Sequence, residues 1–124
     1  MNKLVRIGTR GSALALWQAR QVQNMLGIVG LKSELVPISS SGDKELQKPL
    51  YEMGVQGIFT KELDVALLEG QIDVAVHSMK DVPTQLPKGI TTAFIPKRGP
   101  VADVFISKND AWEDNKSVVA TSSL

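Results

Sequence analysis

Side chains with acid, base and anion-binding chemistry gather in one short segment, residues 77–83. It follows an apolar run at residues 72–76 that is typical of a buried strand, and Pro83 makes continuation of a central strand unfavourable. The segment supplies a base, a hydroxyl, an ammonium and a carboxylate, which are His77, Ser78, Lys80 and Asp81. Because open α/β sheets bind ligands outside the carboxyl ends of their strands, this position suits a ligand that carries both signs of charge.

The same residues also have a purely structural interpretation. A lone histidine at a strand end is usually part of the packing, which is one interpretation of His77. Lys80 beside Asp81 is compatible with a surface ion pair of little consequence. The segment alone leaves both interpretations open.

Residues 9–12 form a second candidate site, just before a predicted helix. Ser12 is a plausible N-cap, and the free N–H groups and dipole of a helix N-terminus favour an anion. Arg10 adds a bidentate donor for a carboxylate or phosphate. The alternative is a capped helix with an exposed arginine.

A polar loop at residues 39–48 contains Asp43. Its Gly-Asp-Lys sequence at residues 42–44 lacks the spacing of a phosphate-binding P-loop. The loop is interpreted either as a solvated surface segment or as a mobile lid over the strand ends.

Two helices and six strands are expected to position these segments. The helices are predicted from about Ser12 to Leu26 and from about Ile58 to Glu69, with Gly70 as C-cap glycine. Trp17 and Phe59 are expected in the core. The strands are predicted at residues 4–7, 31–38, 72–79, 90–96, 104–107 and 117–121. This order predicts an α/β fold with a parallel or mixed sheet flanked by helices, truncated after its last strand.

Composition restricts the class of protein. A chain of 124 residues with 43% apolar and 22% charged residues suits one soluble globular domain. A net charge of +1 gives no reason to expect nucleic acid or an anionic membrane as partner. The absence of cysteine and the single histidine disfavour disulfides and a zinc site. No signal peptide and no run of ~20 apolar residues is found, so we expect a cytoplasmic protein.

Three long stretches closely resemble the porphobilinogen deaminases, also called hydroxymethylbilane synthases. They are RIGTRGSALALWQA at residues 6–19, GIFTKEL at residues 57–63 and DVAVHSMKDVP at residues 73–83. TSSL at residues 121–124 resembles the start of another motif of that family. Three matches in the same order span almost all of the chain and are far more specific than one short pattern.

The resemblance implies a fold like the type II periplasmic binding proteins, with two α/β domains across a cleft and a third, cysteine-bearing domain. A dipyrromethane cofactor is attached to that cysteine. Such an enzyme condenses four porphobilinogen molecules on the cofactor, releases ammonia and frees hydroxymethylbilane for haem biosynthesis. The chain would supply most of domain one at residues 1–97, a hinge at 98–102 and the start of domain two at 103–124.

The resemblance also implies roles for individual residues. Asp81 matches the catalytic aspartate, and Asp43 lies in the segment that matches the mobile lid. Substrate-binding positions are matched by Arg10, Ser12, Gln18 and Lys80. Cofactor contacts are matched by Ser78, Lys80, Asp81, Thr121 and Ser123. The parent enzyme is expected to be monomeric and to need no metal.

The chain departs from the family pattern at two positions. Gln56 and Glu52 stand where many members have lysine, so the resemblance does not carry two cationic contributions to carboxylate binding over to this chain. A non-catalytic, small-anion-binding module of the same fold is the alternative function. We expect the 124 residues alone to make no hydroxymethylbilane, because the chain contains no cysteine for the cofactor.

Overall fold

The computed structural model describes residues 3–40, 58–102, 104–107, 118 and 120. The chain divides into two compact units, Met1–Ala93 and Phe94–Leu124. Every helix and strand of the described residues belongs to the first unit. The division into residues 1–97, 98–102 and 103–124 stays a prediction.

Among the described residues, three parallel strands form the sheet of the first unit. They are β1 (Val5–Thr9), β2 (Ser33–Pro37) and β3 (Val74–Ala75), in the order β2-β1-β3. The central strand places Ile7 between Leu35 and Val74 and buries it completely. Because all three strands run the same way, the segments that follow them emerge at one edge of the sheet. The described sheet is parallel, so the mixed sheet of the sequence analysis is not seen among these residues.

In the part of the chain that the structure describes, two α-helices pack with the sheet. Helix α1 (Ala13–Ile28) starts at the predicted N-cap, where the Ser12 hydroxyl accepts the N–H of Ala15 at 3.3 Å. Helix α2 (Lys61–Leu68) buries Leu63 and Ala66 against Ile72. It is shorter than predicted, since residues 58–60 form a turn, but Gly70 follows its end with φ of 69°, as a C-cap glycine requires.

The third strand is the clearest departure from the predicted elements. The strand was expected to extend over residues 72–79, yet Ile72 packs into the core below α2, and its N–H binds the Ala66 carbonyl. Hydrogen bonds from Asp73 and Val76 to β1 flank the two paired residues. A 3-10 helix (Met79–Asp81) then turns the chain away. The apolar pattern therefore indicated the burial of Ile72, but the residues after it are only partly buried or exposed, and the backbone conformation was not predicted.

Two other predicted strands are absent from the described part of the chain. Residues 90–96 and 104–107 have no regular secondary structure and are mostly exposed. A strand needs a neighbour to receive its backbone hydrogen bonds, and an apolar sequence alone does not supply one. The strand expected at residues 117–121 lies almost wholly outside the described residues.

Trp17 was expected in the core, but its side chain is 58% exposed. Helix α1 faces the sheet with the small residues Ala15 and Ala19, which are buried. Trp17 is two positions from Ala15, about 200° around the helix. It therefore lies on the side of α1 opposite the buried alanines.

We predict that Gly8→Ala destabilises the fold and that Gly27→Ala stabilises it. A Cβ on Gly8 would collide with the buried Ile72 side chain and lie 2.9 Å from Leu63 Cδ2. Such overpacking costs about 1–3 kcal/mol. Gly27 is helical with nothing within 4 Å of a Cβ, so alanine there should gain about 0.5–1 kcal/mol. Urea unfolding measures the change in the free energy of unfolding of each variant. Equal changes in the two variants would contradict the close packing at Gly8.

A carboxylate on the loop before β3 ties that loop to β1. Asp73 Oδ2 accepts the backbone N–H of Arg6 at 2.9 Å and its Nε–H at 3.0 Å. Asp73 Oδ1 accepts from Arg6 Nη2 at 3.1 Å and from Lys3 Nζ at 2.9 Å. These bonds, chiefly the two from the Arg6 side chain, hold the pKa of Asp73 well below its usual range. The network fixes the alignment of β3 against β1.

We predict an acid-sensitive contribution to stability from this network. A carboxyl with a lowered folded-state pKa takes up its proton more readily in the unfolded chain, so stability falls as the pH drops below the ordinary carboxyl range. The stability that Asp73 contributes should be constant above about pH 5 and decrease progressively below about pH 4. Asp73→Asn should lower stability at pH 7 and flatten this dependence, whereas the exposed control Glu69→Gln should not. Urea midpoints between pH 3 and pH 7 would show this, and an unchanged pH slope in Asp73→Asn would contradict it.

Candidate active site

Arg10 and Asp81 meet at the carboxyl edge of the sheet. Arg10 directly follows β1, and Asp81 ends the 3-10 helix that follows β3. Arg10 Nη1 lies 3.5 Å from Asp81 Oδ2, and the two side chains are only 19% and 17% exposed. The two candidate segments of the sequence analysis thus form one site. The pair is long for a hydrogen bond, so neither group is locked to the other.

An aromatic ring supports the arginine. The Arg10 guanidinium carbon lies 4.1 Å from the centroid of the Phe59 ring. This distance is well within the range of a cation–π contact. Phe59 was expected in the core, but it is only partly buried and contacts a site residue instead. The sequence signal for it was its place two residues before α2, inside one of the three matched stretches.

Ser78 and Gln18 also come together. The Ser78 hydroxyl donates to Gln18 Oε1 at 2.9 Å, so that the loop after β3 is tied to helix α1. Sequence reasoning had named both residues, but for contacts with different ligands. Their mutual bond leaves the Gln18 amide N–H groups and the Ser78 oxygen lone pairs for a further partner.

His77 is held neutral near neutral pH. Burial lowers the pKa of His77, and Arg10 acts in the same direction, while the carboxylates of Asp64 and Asp81 oppose the shift. A neutral imidazole adds no positive charge next to Arg10. His77 therefore fits its structural interpretation, as a partly buried polar neighbour of the site.

The other predicted residues fall into two groups. Ser12 uses its hydroxyl to cap α1, and Lys80 is exposed and forms no ion pair with any carboxylate in the described ranges. The surface pair of Lys80 with Asp81 is therefore not observed, because Asp81 pairs with Arg10. Other candidates lie outside the described residues: Asp43, Glu52, Gln56, Thr121 and Ser123.

The site places a cation and an anion side by side at the strand ends. A zwitterionic ligand can satisfy both groups at once, with its carboxylate on Arg10 and its ammonium on Asp81. Backbone N–H groups of the α1 N-terminus lie in the same segment as Arg10 and favour a second anionic group. In the described part of the chain, no three metal-ligating side chains come together, and no helix has the length and apolar character to cross a membrane.

Comparison with known proteins gives this geometry a context. A family model described as porphobilinogen deaminase, dipyromethane cofactor binding domain, matches residues 5–124. The chain belongs to this family. It is 47% identical over 125 residues to a porphobilinogen deaminase of Syntrophomonas wolfei subsp. wolfei, an alignment that covers 97% of this chain and 41% of the relative. The chain thus spans about two fifths of the length of that porphobilinogen deaminase.

The side chains present fit a dipyrromethane group. Such a group carries acetate and propionate carboxylates and pyrrole N–H donors. Arg10 offers a guanidinium for the carboxylates, the Ser78 oxygen and the Asp81 carboxylate accept N–H bonds, and the exposed Lys80 adds a second cation. The family resemblance to porphobilinogen deaminase is therefore matched by the donor and acceptor chemistry of this edge.

Proposed function

We propose that the chain forms the cofactor-binding part of a transferase that condenses four porphobilinogen molecules into hydroxymethylbilane with release of ammonia. The observation that supports this most directly is the half-shielded Arg10–Asp81 pair at the carboxyl ends of β1 and β3. Porphobilinogen carries two carboxylates and an aminomethyl group, so it presents to this pair the two charges that the pair can bind.

In this proposal Asp81 is the catalytic residue. Loss of ammonia from porphobilinogen leaves a cationic azafulvene, and a fixed carboxylate in a shielded site stabilises the charge as it develops. Asp81 also accepts and returns the protons that the condensation moves. Arg10 holds a carboxylate of the reacting pyrrole and thereby orients it against Asp81.

The remaining site residues bind the other groups of the ligands. We assign pyrrole carboxylates to Ser12 and Lys80, a substrate contact to Gln18 and a cofactor contact to Ser78. The bound dipyrromethane supplies the covalent anchor for the growing chain. Roles for Thr121 and Ser123 as cofactor contacts, and for Asp43 in a lid, rest on the resemblance alone.

The wider architecture is also proposed from the resemblance. The three parallel strands with flanking helices are compatible with a domain like those of type II periplasmic binding proteins. A monomeric, cytoplasmic parent enzyme stays a prediction.

The experiment that tests the proposed function uses the full-length protein that contains this chain. Incubation with porphobilinogen should release ammonia and yield a linear tetrapyrrole, and the purified protein should carry a covalent dipyrromethane detectable by mass spectrometry. Binding of porphobilinogen without ammonia release would instead support the alternative, a small-anion-binding module. A protein that neither binds nor converts porphobilinogen would contradict both proposed functions.

A further inference from the structure

The guanidinium of Arg10 makes contacts of different kinds, among them one with a carboxylate and one with an aromatic ring. One is with Asp81 Oδ2, 3.5 Å from Nη1, and uses an N–H donor in the plane of the group. The other is with the Phe59 ring, whose centroid lies 4.1 Å from Cζ, and uses the face of the group. The two contacts therefore do not compete for the same part of Arg10.

These contacts respond differently to a ligand with a carboxylate and an ammonium group. The ligand carboxylate takes the in-plane N–H donors of Arg10, and the ligand ammonium takes Asp81. The bond between Arg10 and Asp81 is then broken, and each of the two side chains binds the ligand instead. The Phe59 contact persists, because stacking on the face of the guanidinium does not use its in-plane N–H donors.

The position of Phe59 suits such a supporting role. It lies in the turn directly before α2, and the next residue, Thr60, is buried and accepts the N–H of Asp64 at 2.8 Å at the start of that helix. Helix α2 is in turn fixed to the core by Leu63 and Ala66. The ring is thus attached to a packed element, whereas the Arg10 side chain has several rotatable bonds.

We propose that Phe59 is a positioning residue for Arg10, which keeps the guanidinium at the strand ends when Asp81 exchanges Arg10 for the substrate. This inference rests on the proposed function, since the exchange needs a substrate with both charges. It assigns Phe59 no chemical step of its own. Its effect should be on the binding of carboxylates through Arg10.

The kinetic test compares variants of the full-length protein with porphobilinogen as substrate. Phe59→Leu keeps apolar bulk but removes the ring, and should raise KM about 3- to 30-fold with kcat changed less than about threefold. Phe59→Tyr keeps the ring and should restore KM to nearly the wild-type value. The exposed control Phe94→Leu should leave both constants unchanged. A fall in kcat at constant KM, or no rescue by tyrosine, would overturn the inference.

A double-mutant cycle separates action through Arg10 from direct contact with the substrate. In an Arg10→Leu background, Phe59→Leu should add almost nothing to the loss in kcat/KM, since its effect requires Arg10. A full additional loss would show that Phe59 acts on the ligand itself and would overturn the positioning role.

A measurement without substrate keeps this inference separate from the proposed function. In NMR spectra of the full-length protein, the Arg10 Nε–H resonance should be displaced by the ring current of Phe59. It should move toward the position of a free arginine in Phe59→Leu, or in Phe59→Met if the leucine variant does not fold, and stay in Phe59→Tyr. If the wild-type protein fails to convert porphobilinogen, the proposed function is contradicted, but the NMR measurement still tests the contact between Phe59 and Arg10. An Arg10 resonance unaffected by removing the ring would overturn it.

Discussion

Asp81→Asn in the full-length protein should lower turnover of porphobilinogen by ~10²-fold or more while the protein stays folded. The substitution keeps the shape of the side chain and removes its negative charge, which faces the cation that forms when ammonia leaves. The side chain is only 17% exposed, so water cannot replace the lost charge efficiently. Steady-state ammonia release measures the effect.

A matched control is Asp64→Asn, which changes a carboxylate that faces His77 in the same unit. Its turnover should stay within a few-fold of the wild type. Thermal unfolding of both variants separates a catalytic loss from a folding defect. Near-normal turnover by a folded Asp81→Asn protein would remove Asp81 from the catalytic role.

Arg10→Leu should impair substrate binding and chain elongation about 10- to 100-fold, because a charge-assisted bond to a pyrrole carboxylate is lost. The substitution also leaves Asp81 without its partner at 3.5 Å, in a site where both side chains are largely shielded. Arg20→Leu is the matched control, since Arg20 is exposed on α1, ten residues from Arg10.

Two measurements compare the arginine variants. One is kcat/KM for porphobilinogen, and the other is the length of the enzyme-bound intermediates, determined by mass spectrometry. Arg20→Leu should stay within about twofold of the wild type, as surface substitutions generally do. Equal losses in both variants would mean that Arg10 acts only as a surface charge.

Local signals in the sequence predicted the elements that carry the site. Ser12 was recognised as an N-cap because capping depends on a residue type next to an apolar pattern, and the structure shows its bond to Ala15. Gly70 was placed at a helix end for a similar reason. The length of β3 was not predicted, since an apolar run reports burial and cannot tell a strand from the packed turn at Ile72.

Contacts between distant segments could not be read from the residues alone. Arg10 and Asp81 are 71 positions apart, and nothing in either segment shows that Asp81 prefers Arg10 to the adjacent Lys80. Phe59 was assigned to the core because aromatic residues usually are, yet its ring contacts Arg10. The Arg10–Asp81 contact arises from the parallel sheet, which brings the ends of β1 and β3 to the same edge. The Arg10–Phe59 contact arises from the turn that precedes α2.

The central claim is that the Arg10–Asp81 pair recognises the carboxylate and the ammonium of one ligand. The most direct measurement compares the affinity of wild-type and Asp81→Asn full-length protein for porphobilinogen and for the same pyrrole with methyl in place of aminomethyl. The wild type should bind porphobilinogen at least about tenfold more tightly than the methyl analogue, and Asp81→Asn should lose that preference while binding the analogue unchanged. A preference for the aminomethyl group that survives in Asp81→Asn would contradict the account.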